Sequence, residues 1–365
     1  MKSNSLKQRN STIDIAKAIG IILMVWVHAR GPYEGFISLF HMALFFIIAG
    51  FVFKPKYFSD FDNLKSFFTK KVKRLYFPFV TFNLILILLH NLFIKINIYT
   101  NNPEFLLYPN FSRFGLSNIY SLSDLINNII LCFSFYNREL LSGATWFLCV
   151  LFWINVISCI GMYLCKGNRF AKYMIPIGYI CAFILGCACQ HYEFKFYRIG
   201  TMLTCSMIFY AGFLYSKYKE RIPLNIISCV IYFLIIMMIH LYIPEGINVV
   251  GNIFHDPVSF LLASIFGSLF VINLSELISK SNIMNTIFSY IGQKTMPILM
   301  FHFIAFKFIT ILQVYLYKSP ILFLASFPVY ISDGVWWTIY TVTGILIPIV
   351  CSELFNVSKK FLHIQ

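Results

Sequence analysis

Long apolar runs alternate with polar gaps along almost the whole chain. Ten of these runs approach the length of about 20 residues that an α-helix needs to cross the hydrocarbon core of a bilayer. They cover residues 12–30, 36–53, 76–96, 144–165, 172–190, 199–216, 223–243, 257–279, 286–306 and 334–356. The pattern predicts an all-α protein, a polytopic transmembrane helical bundle of about ten spans, forming a single integral membrane domain over residues 1–365.

The connections between these runs are short except for one. Residues 97–143 form a long polar connection that we predict to be external, and residues 1–11 and 357–365 are predicted to be cytoplasmic tails. Within the long connection, residues 122–135 set polar positions opposite apolar ones at helical spacing. This pattern favours a helix that lies along the membrane surface.

Composition places the chain in the lipid bilayer. Apolar residues make up 59% of the sequence, 41 of its 365 residues are phenylalanine, and 12% are charged, against about 25% charged residues in soluble domains. No stretch has the composition of a soluble domain. Asp14 and Lys17 interrupt the first apolar run and no small-residue cleavage site follows it, which predicts an uncleaved first span.

The charge balance is strongly basic. The chain carries 29 Lys and Arg against 14 Asp and Glu, an excess that would suggest nucleic-acid binding in a soluble protein. Here the basic residues cluster at the N-terminus and in the connections after even-numbered runs, as between residues 54 and 74. The positive-inside rule places such segments in the cytoplasm. We therefore predict that both termini are cytoplasmic and that no nucleic acid is bound.

Ten cysteines raise the question of disulfides or a metal site. All lie in or beside apolar runs without a CxxC pair, so we interpret them as small buried hydrophobic residues and expect no metal. They are Cys132, Cys149, Cys159, Cys165, Cys181, Cys187, Cys189, Cys205, Cys229 and Cys351.

Asp14, Lys17 and His28 place three ionisable groups in the first predicted span. Each is a functional candidate, because such a group costs about 2.5–3.5 kcal/mol at a helix centre on insertion scales. The step from Lys17 to His28 returns to within about 20° of the same helix face and rises about 16 Å, so a long, thin ligand fits along that face. The same spacing is compatible with a snorkelling Lys17, a helix-capping Asp14 and an interfacial His28.

The first span also carries a motif. The stretch RNSTIDIAKAIGIILMVWVH, from Arg9 to His28, resembles the opening of the acyltransferase-3 family of integral membrane acyltransferases, in which a basic residue and a histidine enclose ten residues. Lys17 and His28 fit that spacing. Two later segments resemble family signatures in the same order, FHMALFFIIAGF at 40–51 and ATWFL at 144–148.

The family's basic pair after the second span is matched by Lys71 and Arg74, with lysine where arginine is common. The resemblance implies transfer of an acyl group, usually acetyl from cytoplasmic acetyl-CoA, to a hydroxyl of a carbohydrate or lipid-linked acceptor. Lys71 and Arg74 would hold the anionic end of the donor. Trp146, in the third matching segment, would pack against the acyl arm or the acceptor ring, with an aromatic anchor at the membrane interface as the ordinary alternative.

The resemblance makes His28 the general base for the acceptor hydroxyl, with Lys17 and Asp14 completing the catalytic set. A histidine suits this role because it titrates close to neutral pH. Direct attack by the acceptor needs no protein nucleophile, and the sequence contains no G-x-S-x-G motif that would indicate one. We therefore expect a single displacement.

His41, Arg30 and Glu34 surround the first predicted external loop, and we assign them to acceptor binding. Each has an ordinary alternative, as an interfacial histidine or a solvated loop charge. The remaining ionisable groups in or beside spans are interpreted as helix-packing or interfacial residues. They are Lys294, His302, Lys307, His90 and His240.

Two other functions are compatible with a basic, polytopic chain. A transporter or polymerase of lipid-linked polysaccharide would show an inverted repeat or paired broken helices, and we detect neither. A structural membrane subunit would gain nothing from polar groups on one face of the first span. The spacing of Lys17 and His28 favours the enzyme, and the resemblance implies an O-acetyltransferase of the bacterial cytoplasmic (inner) membrane that modifies a polysaccharide or lipid-linked sugar. Acceptor identity and oligomeric state stay open.

Overall fold

The computed structural model describes residues 10–107 and 117–361. Within these ranges the regular structure is helical, apart from one isolated bridge between Asn248 and Ile253. The all-α fold class is therefore confirmed. The α-helices of the described ranges are α1 Ser11–His28, α2 Glu34–Ser38, α3 His41–Phe51, α4 Phe61–Lys71, α5 Phe77–Lys95, α6 Leu122–Phe133, α7 Trp146–Leu164, α8 Ala171–His191, α9 Ile199–Tyr218, α10 Ile226–Tyr242, α11 Pro257–Ser279, α12 Asn282–Gln293, α13 Thr295–Leu316 and α14 Trp336–Phe361.

Nine helical stretches within the described ranges are long and apolar enough to cross a bilayer, which confirms a polytopic bundle. The predicted span 223–243 corresponds to α10, whose 17 residues lie at the lower limit for a crossing. It runs antiparallel to α11: the Asn273 amide donates to the Asn225 carbonyl at one end (3.0 Å), and the rings of Tyr242 and His255 lie 5.1 Å apart at the other. The two helices therefore cross the same depth.

Helices α1 and α14 lie side by side in opposite directions. Trp26, near the end of α1, and Trp337, at the start of α14, have ring centroids 4.5 Å apart. At the other end, Gly292 packs directly on the first turns of α1, and the nearby Lys294 pairs with Glu353 of α14. The start of α1 and the end of α14 therefore lie on the same side of the bundle. That this side is cytoplasmic stays a prediction.

One predicted span is wrong in its bounds. The apolar run 286–306 ends one helix and begins another, because α12 stops at Gln293 and α13 starts at Thr295. Lys294 between them leaves the helical conformation, with φ −102° and ψ 16°. The membrane-length helix is α13, which continues to Leu316. Hydropathy alone merged the two helices across a polar break too short to lower the average.

The predicted second span, 36–53, also consists of two helices. α2 ends at Ser38 and α3 begins at His41, and Phe40 between them has φ −142° and ψ −20°. Phe40 packs against Gly267 of α11, where a Cβ would overlap its side chain. The break starts α3 inside the bundle, so the His41 side chain is buried.

Helix α4, one turn of π-helix at Val72–Tyr76, and α5 form a nearly continuous rod. The predicted span 76–96 corresponds to α5. Lys71 is the last residue of α4, and Arg74 lies in the π-helical turn. A π-helical turn shifts the helical register and often marks a functional site. The predicted basic pair therefore lies where the side-chain directions of this rod change.

Helix α6 confirms the predicted helix within 122–135 but not its course along the membrane surface. Before α6, the Tyr120 backbone bonds with the Asn91 side chain near the end of α5, and at the other end the Tyr76 hydroxyl donates to the Phe133 carbonyl (2.7 Å). α6 therefore lies lengthwise against α5. A stripe of its apolar side chains is exposed, formed by Leu122, Ile126, Ile130 and Phe133.

Small residues let α3 and α9 pack backbone against backbone. A Cβ on Gly50 would overlap the Phe209 carbonyl, and a Cβ on Gly212 would overlap the Ile47 carbonyl. Such contacts are a usual means of helix association in lipid. α1 in turn packs against α3, α11, α12, α13 and α14. The first helix is therefore central in the bundle and lies beside any internal site.

Candidate functional site

A cavity of about 680 Å³, here called the His28 cavity, surrounds the end of α1. Its walls come from α1, α2, α3, the start of α7, Leu299 of α13 and the 243–255 segment between α10 and α11. The polar and aromatic lining residues are His28, Glu34, Ser38, His41, Trp146, Glu245, Asn248, Phe254 and His255. This volume lies within the range of about 300–1,000 Å³ that is usual for small-molecule sites.

A second cavity of about 200 Å³, the Lys17 cavity, lies further back along α1. Apart from Lys17 and Thr295, apolar side chains of α1, α3, α7, α13 and Leu75 line it. Met24, Met42 and Leu299 line both cavities. The two cavities therefore adjoin, and together they follow α1 from Lys17 to His28.

Lys17 and Asp14 form an ion pair of 3.1 Å across one turn of α1. The Asp14 side chain is 4% exposed and that of Lys17 is 30% exposed. Asp14 does not cap the helix, because the Asn10 side chain accepts the Ile13 N–H at the N-cap. The pair holds the Lys17 ammonium at the wall of the Lys17 cavity. His28 lies about 21 Å further along the helix axis than Asp14.

His28 contacts a second histidine at the other end of α1. Its Nδ1 lies 2.9 Å from Nε2 of His302 in α13, and the two imidazole rings are nearly parallel with centroids 5.0 Å apart. The ring of Phe303 lies 4.8 Å from that of His28. His28, which lines the His28 cavity, is therefore backed by a second histidine and an aromatic ring.

Sequence reasoning assigned His302 to helix packing and so missed this pair. The predicted span 286–306 placed His302 near a span end, where an ionisable group is inexpensive, whereas α13 puts it seven residues inside the helix. The cost of an ionisable group within a span, which singled out His28, would have singled out His302 had the helix bounds been right.

The predicted acceptor residues fall in different surroundings. His41 lines the His28 cavity and is 7% exposed, and its Nδ1 donates to the Ile37 carbonyl at 3.0 Å. Glu34 also lines this cavity. Arg30 is exposed, adopts a left-handed backbone conformation with φ 55° and is not among the lining residues. The structure thus brings His41 and Glu34 to His28 and leaves Arg30 at the rim.

Trp146 lies in the His28 cavity rather than beside the predicted basic pair. It is the first residue of α7 and is 7% exposed. The Arg198 guanidinium lies 5.9 Å from the centre of its ring and donates to the Val250 carbonyl (3.0 Å) in the cavity wall. The entry to α7 is held by Thr145, whose hydroxyl donates to the Ser142 carbonyl at 2.8 Å. The indole is therefore fixed beside His28.

The basic pair lies at the opposite end of the path. Arg74 is exposed and precedes Leu75, which lines the Lys17 cavity. The Lys71 ammonium lies 4.9 Å from the centre of the Phe67 ring, in range of a cation–π contact. Positive charge from Lys17, Lys71 and Arg74 is thus gathered near one end of the two adjoining cavities.

Lys307 and His90, two further buried ionisable groups, have structural partners. Lys307 donates to the carbonyls of Leu324 (2.7 Å) and Ser326 (2.8 Å). His90 contacts the Glu139 carboxylate, to which Tyr120 also donates (3.0 Å). Burial and then the Glu139 carboxylate raise the pKa of the Tyr120 hydroxyl, so it remains a donor. Within the described part of the chain, no group of three or more His, Cys, Asp or Glu side chains is arranged to hold a metal ion.

Membrane-length helices around two adjoining cavities, with a histidine pair at one end and basic side chains at the other, define an integral membrane protein with an internal, two-ended site. Residues 10–353 match the family model described as an acyltransferase domain. The chain belongs to the acyltransferase-3 family and is a membrane acyltransferase, acting with an acyl donor and an acceptor. No curated protein and no solved structure matches it.

Proposed function

We propose that this acyltransferase moves an acetyl group from cytoplasmic acetyl-CoA to a hydroxyl of a cell-surface glycan or lipid-linked sugar, in the bacterial cytoplasmic membrane. The observation that carries the proposal is the meeting of the Lys17 and His28 cavities at Met24, Met42 and Leu299. A donor entering at one end and an acceptor entering at the other would meet there. The end that carries Lys17 is assigned to the cytoplasm by the positive-inside rule.

The donor end supports an acyl-CoA. Lys71 and Arg74 precede Leu75, which lines the Lys17 cavity, and supply positive charge for the phosphates of the nucleotide. The Lys17 cavity itself is narrow and mostly apolar, which suits the thin arm of CoA and excludes its nucleotide. The thioester would then lie near Met24 and Met42, on the way to His28.

The acceptor end supports a carbohydrate. The carboxylates of Glu34 and Glu245 and the Asn248 amide line the His28 cavity and can bond sugar hydroxyls. The buried face of Trp146 offers an apolar surface for a sugar ring. The lining lacks Lys and Arg among its side chains, so the described wall favours a neutral acceptor unit over an anionic one.

The reaction needs one base and no protein nucleophile. His28 removes the proton from the acceptor hydroxyl while the oxygen attacks the thioester carbonyl carbon. The new C–O bond forms, the C–S bond breaks, and the thiolate of CoA leaves. The proton held by His28 returns to that thiolate, so the histidine is neutral again at the end of the cycle. Lys17 and Asp14 act at the donor end of the same helix, where their ion pair holds the Lys17 ammonium at the wall of the Lys17 cavity.

The test is acetyl transfer in membrane vesicles supplied with labelled acetyl-CoA. For His28→Ala we expect a loss of about 10²–10⁴-fold in acetyl transfer, the usual contribution of a positioned general base. The matched control is His191→Ala, which alters an exposed histidine at the end of α8. Undiminished acetylation by His28→Ala, at the protein level of the control, would remove His28 as the base.

A further inference from the structure

We infer that His302 is a positioning residue for His28: it accepts the Nδ1 proton of His28 and thereby leaves the lone pair of His28 Nε2 for the acceptor hydroxyl. This rests on the proposed function of His28 as base. The observation is the 2.9 Å contact between Nδ1 of His28 and Nε2 of His302, two residues 274 positions apart in the chain.

The hydrogen bonds of His302 determine which of its ring nitrogens carries the proton. Its Nδ1 lies 3.0 Å from the Ile298 carbonyl and 3.1 Å from the Leu299 carbonyl, one turn back in α13. Both carbonyls can only accept, so Nδ1 carries a proton. The side chain is fully buried, where an unpaired charge is costly. The neutral ring therefore carries its lone pair on Nε2, facing His28.

The tautomer of His28 follows from that of His302. Since His302 Nε2 accepts, His28 Nδ1 must donate across the 2.9 Å contact. The proton of the neutral His28 ring is then on Nδ1, and the lone pair is on Nε2. Among the described residues, Nε2 of His28 has no hydrogen-bond partner, and His28 lines the cavity assigned to the acceptor. The backbone of α13 thus determines, through His302, which nitrogen of His28 is basic.

Aromatic rings restrict the rotation of the two imidazole rings. The Phe303 ring lies 4.8 Å from His28 and 4.1 Å from His302, and the Phe306 ring lies 5.7 Å from His302. These rings leave the two imidazoles little freedom to rotate out of contact. His302 therefore holds the base His28 in one tautomer, as the orienting residue of a hydrolytic triad does for its histidine.

The neutral His302 and a carboxylate would affect the charge of His28 differently. A carboxylate beside Nδ1 would favour the imidazolium form of His28 before the reaction, whereas neutral His302 orients the ring without adding charge. When His28 takes the acceptor proton, its Nδ1–H still donates to His302. The orientation of the ring is thus the same in the resting and protonated states.

The experiment compares three substitutions of His302. In His302→Gln, the side-chain carbonyl can take the accepting position of Nε2; in His302→Asn, the side chain is one methylene too short; in His302→Leu, no acceptor remains. We expect kcat to fall by about 10²-fold or more in the Asn and Leu variants and by about 10-fold or less in the Gln variant. KM for acetyl-CoA should stay within about 3-fold, because no donor contact is changed.

The comparison between Gln and Asn keeps the inference testable where Leu disturbs folding, because the two amides are equally polar. Equal kcat in these two amide variants, high or low, at wild-type melting temperature would overturn the role of His302. His28→Ala separates this from a failure of the proposed function. An inactive His28→Ala with wild-type kcat in His302→Leu refutes the positioning role alone, and an active His28→Ala refutes the base itself.

Discussion

Met24 of α1 and Met42 of α3 each line both the Lys17 cavity and the His28 cavity. Together with Leu299 they form the boundary between the two. Methionine is unbranched and flexible, so such a boundary can yield to a thin ligand. In the proposed reaction, the donor's acyl group lies at this boundary when the acceptor attacks.

The size of the side chains at this boundary should therefore determine which acyl groups are transferred. For Met42→Ala we expect an increased ratio of butyryl to acetyl transfer, because the shortened side chain leaves room beside the thioester. The ratio is measured with both donors at saturating concentration. Met42→Leu, which conserves volume, is the control and should keep the wild-type ratio. An unchanged ratio in the alanine variant would place the acyl group elsewhere.

Donor affinity should depend on the charge of Arg74. Arg74→Glu removes a charge-assisted bond to phosphate, worth about 1.5–3 kcal/mol, so we expect acetyl-CoA to bind about 10–100-fold more weakly. Calorimetric titration of the detergent-solubilised protein measures the affinity. Arg221→Glu makes the same charge change at an exposed site after α9 and should bind normally. Equal affinities in the two variants would remove Arg74 from the donor site.

The ion pair of Lys17 and Asp14 allows stability to be separated from activity. Lys17→Met leaves the buried Asp14 carboxylate without the ammonium 3.1 Å away, and we expect unfolding to become easier by about 1–3 kcal/mol. Adding Asp14→Asn should restore part of the melting temperature, because it removes the buried charge that faced the lost ammonium. Acetyl transfer should stay low in the double variant. Full activity there would make the pair purely structural.

The buried pair of His90 and Glu139 should contribute to stability. The carboxylate is 1% exposed, and His90 Nδ1 lies 3.1 Å from it while Nε2 lies 2.9 Å from the Asn118 carbonyl. His90→Leu would leave the buried carboxylate without its imidazole partner, bonded only to the hydroxyls of Tyr120 and Tyr99, and we expect a loss of about 1–3 kcal/mol. Thermal melting in detergent measures it, with exposed His191→Leu as control. Equal melting temperatures would contradict the pairing.

The run 257–279 shows how a polar cap makes the start of a helix predictable. The run 257–279 coincides with α11, because Asp256 accepts the N–H groups of Val258 and Ser259 at its start and Lys280 follows its end. The run 286–306 failed because Gln293, Lys294 and Thr295 make too short a break to register in a window of span length. The position at which a helix ends depends on single residues, whereas hydropathy is averaged over a window of residues.

The course of α6 shows a second limit. Its amphipathic pattern predicted a helix correctly, but the pattern does not say which side of the helix meets the rest of the protein. In the structure Asn128 and Cys132 are buried, with Leu125 and Ile129 partly buried beside them, whereas Asp124 and Asn127 are exposed together with the apolar stripe. Lipid can cover apolar side chains, so the apolar side of a helix in a membrane protein does not have to face the core.

The sequence by itself determined the membrane-spanning character, the helical class, the family and the shared face of Lys17 and His28. These follow from hydropathy, helical period and short motifs, which are local properties of the chain. Only the tertiary structure decided that His302 contacts His28, that Trp146 lines the same cavity as His28, and that Arg30 is not among the residues lining it. Such contacts join helices far apart in the chain, and their geometry depends on how α1, α7 and α13 pack together, which no local pattern encodes.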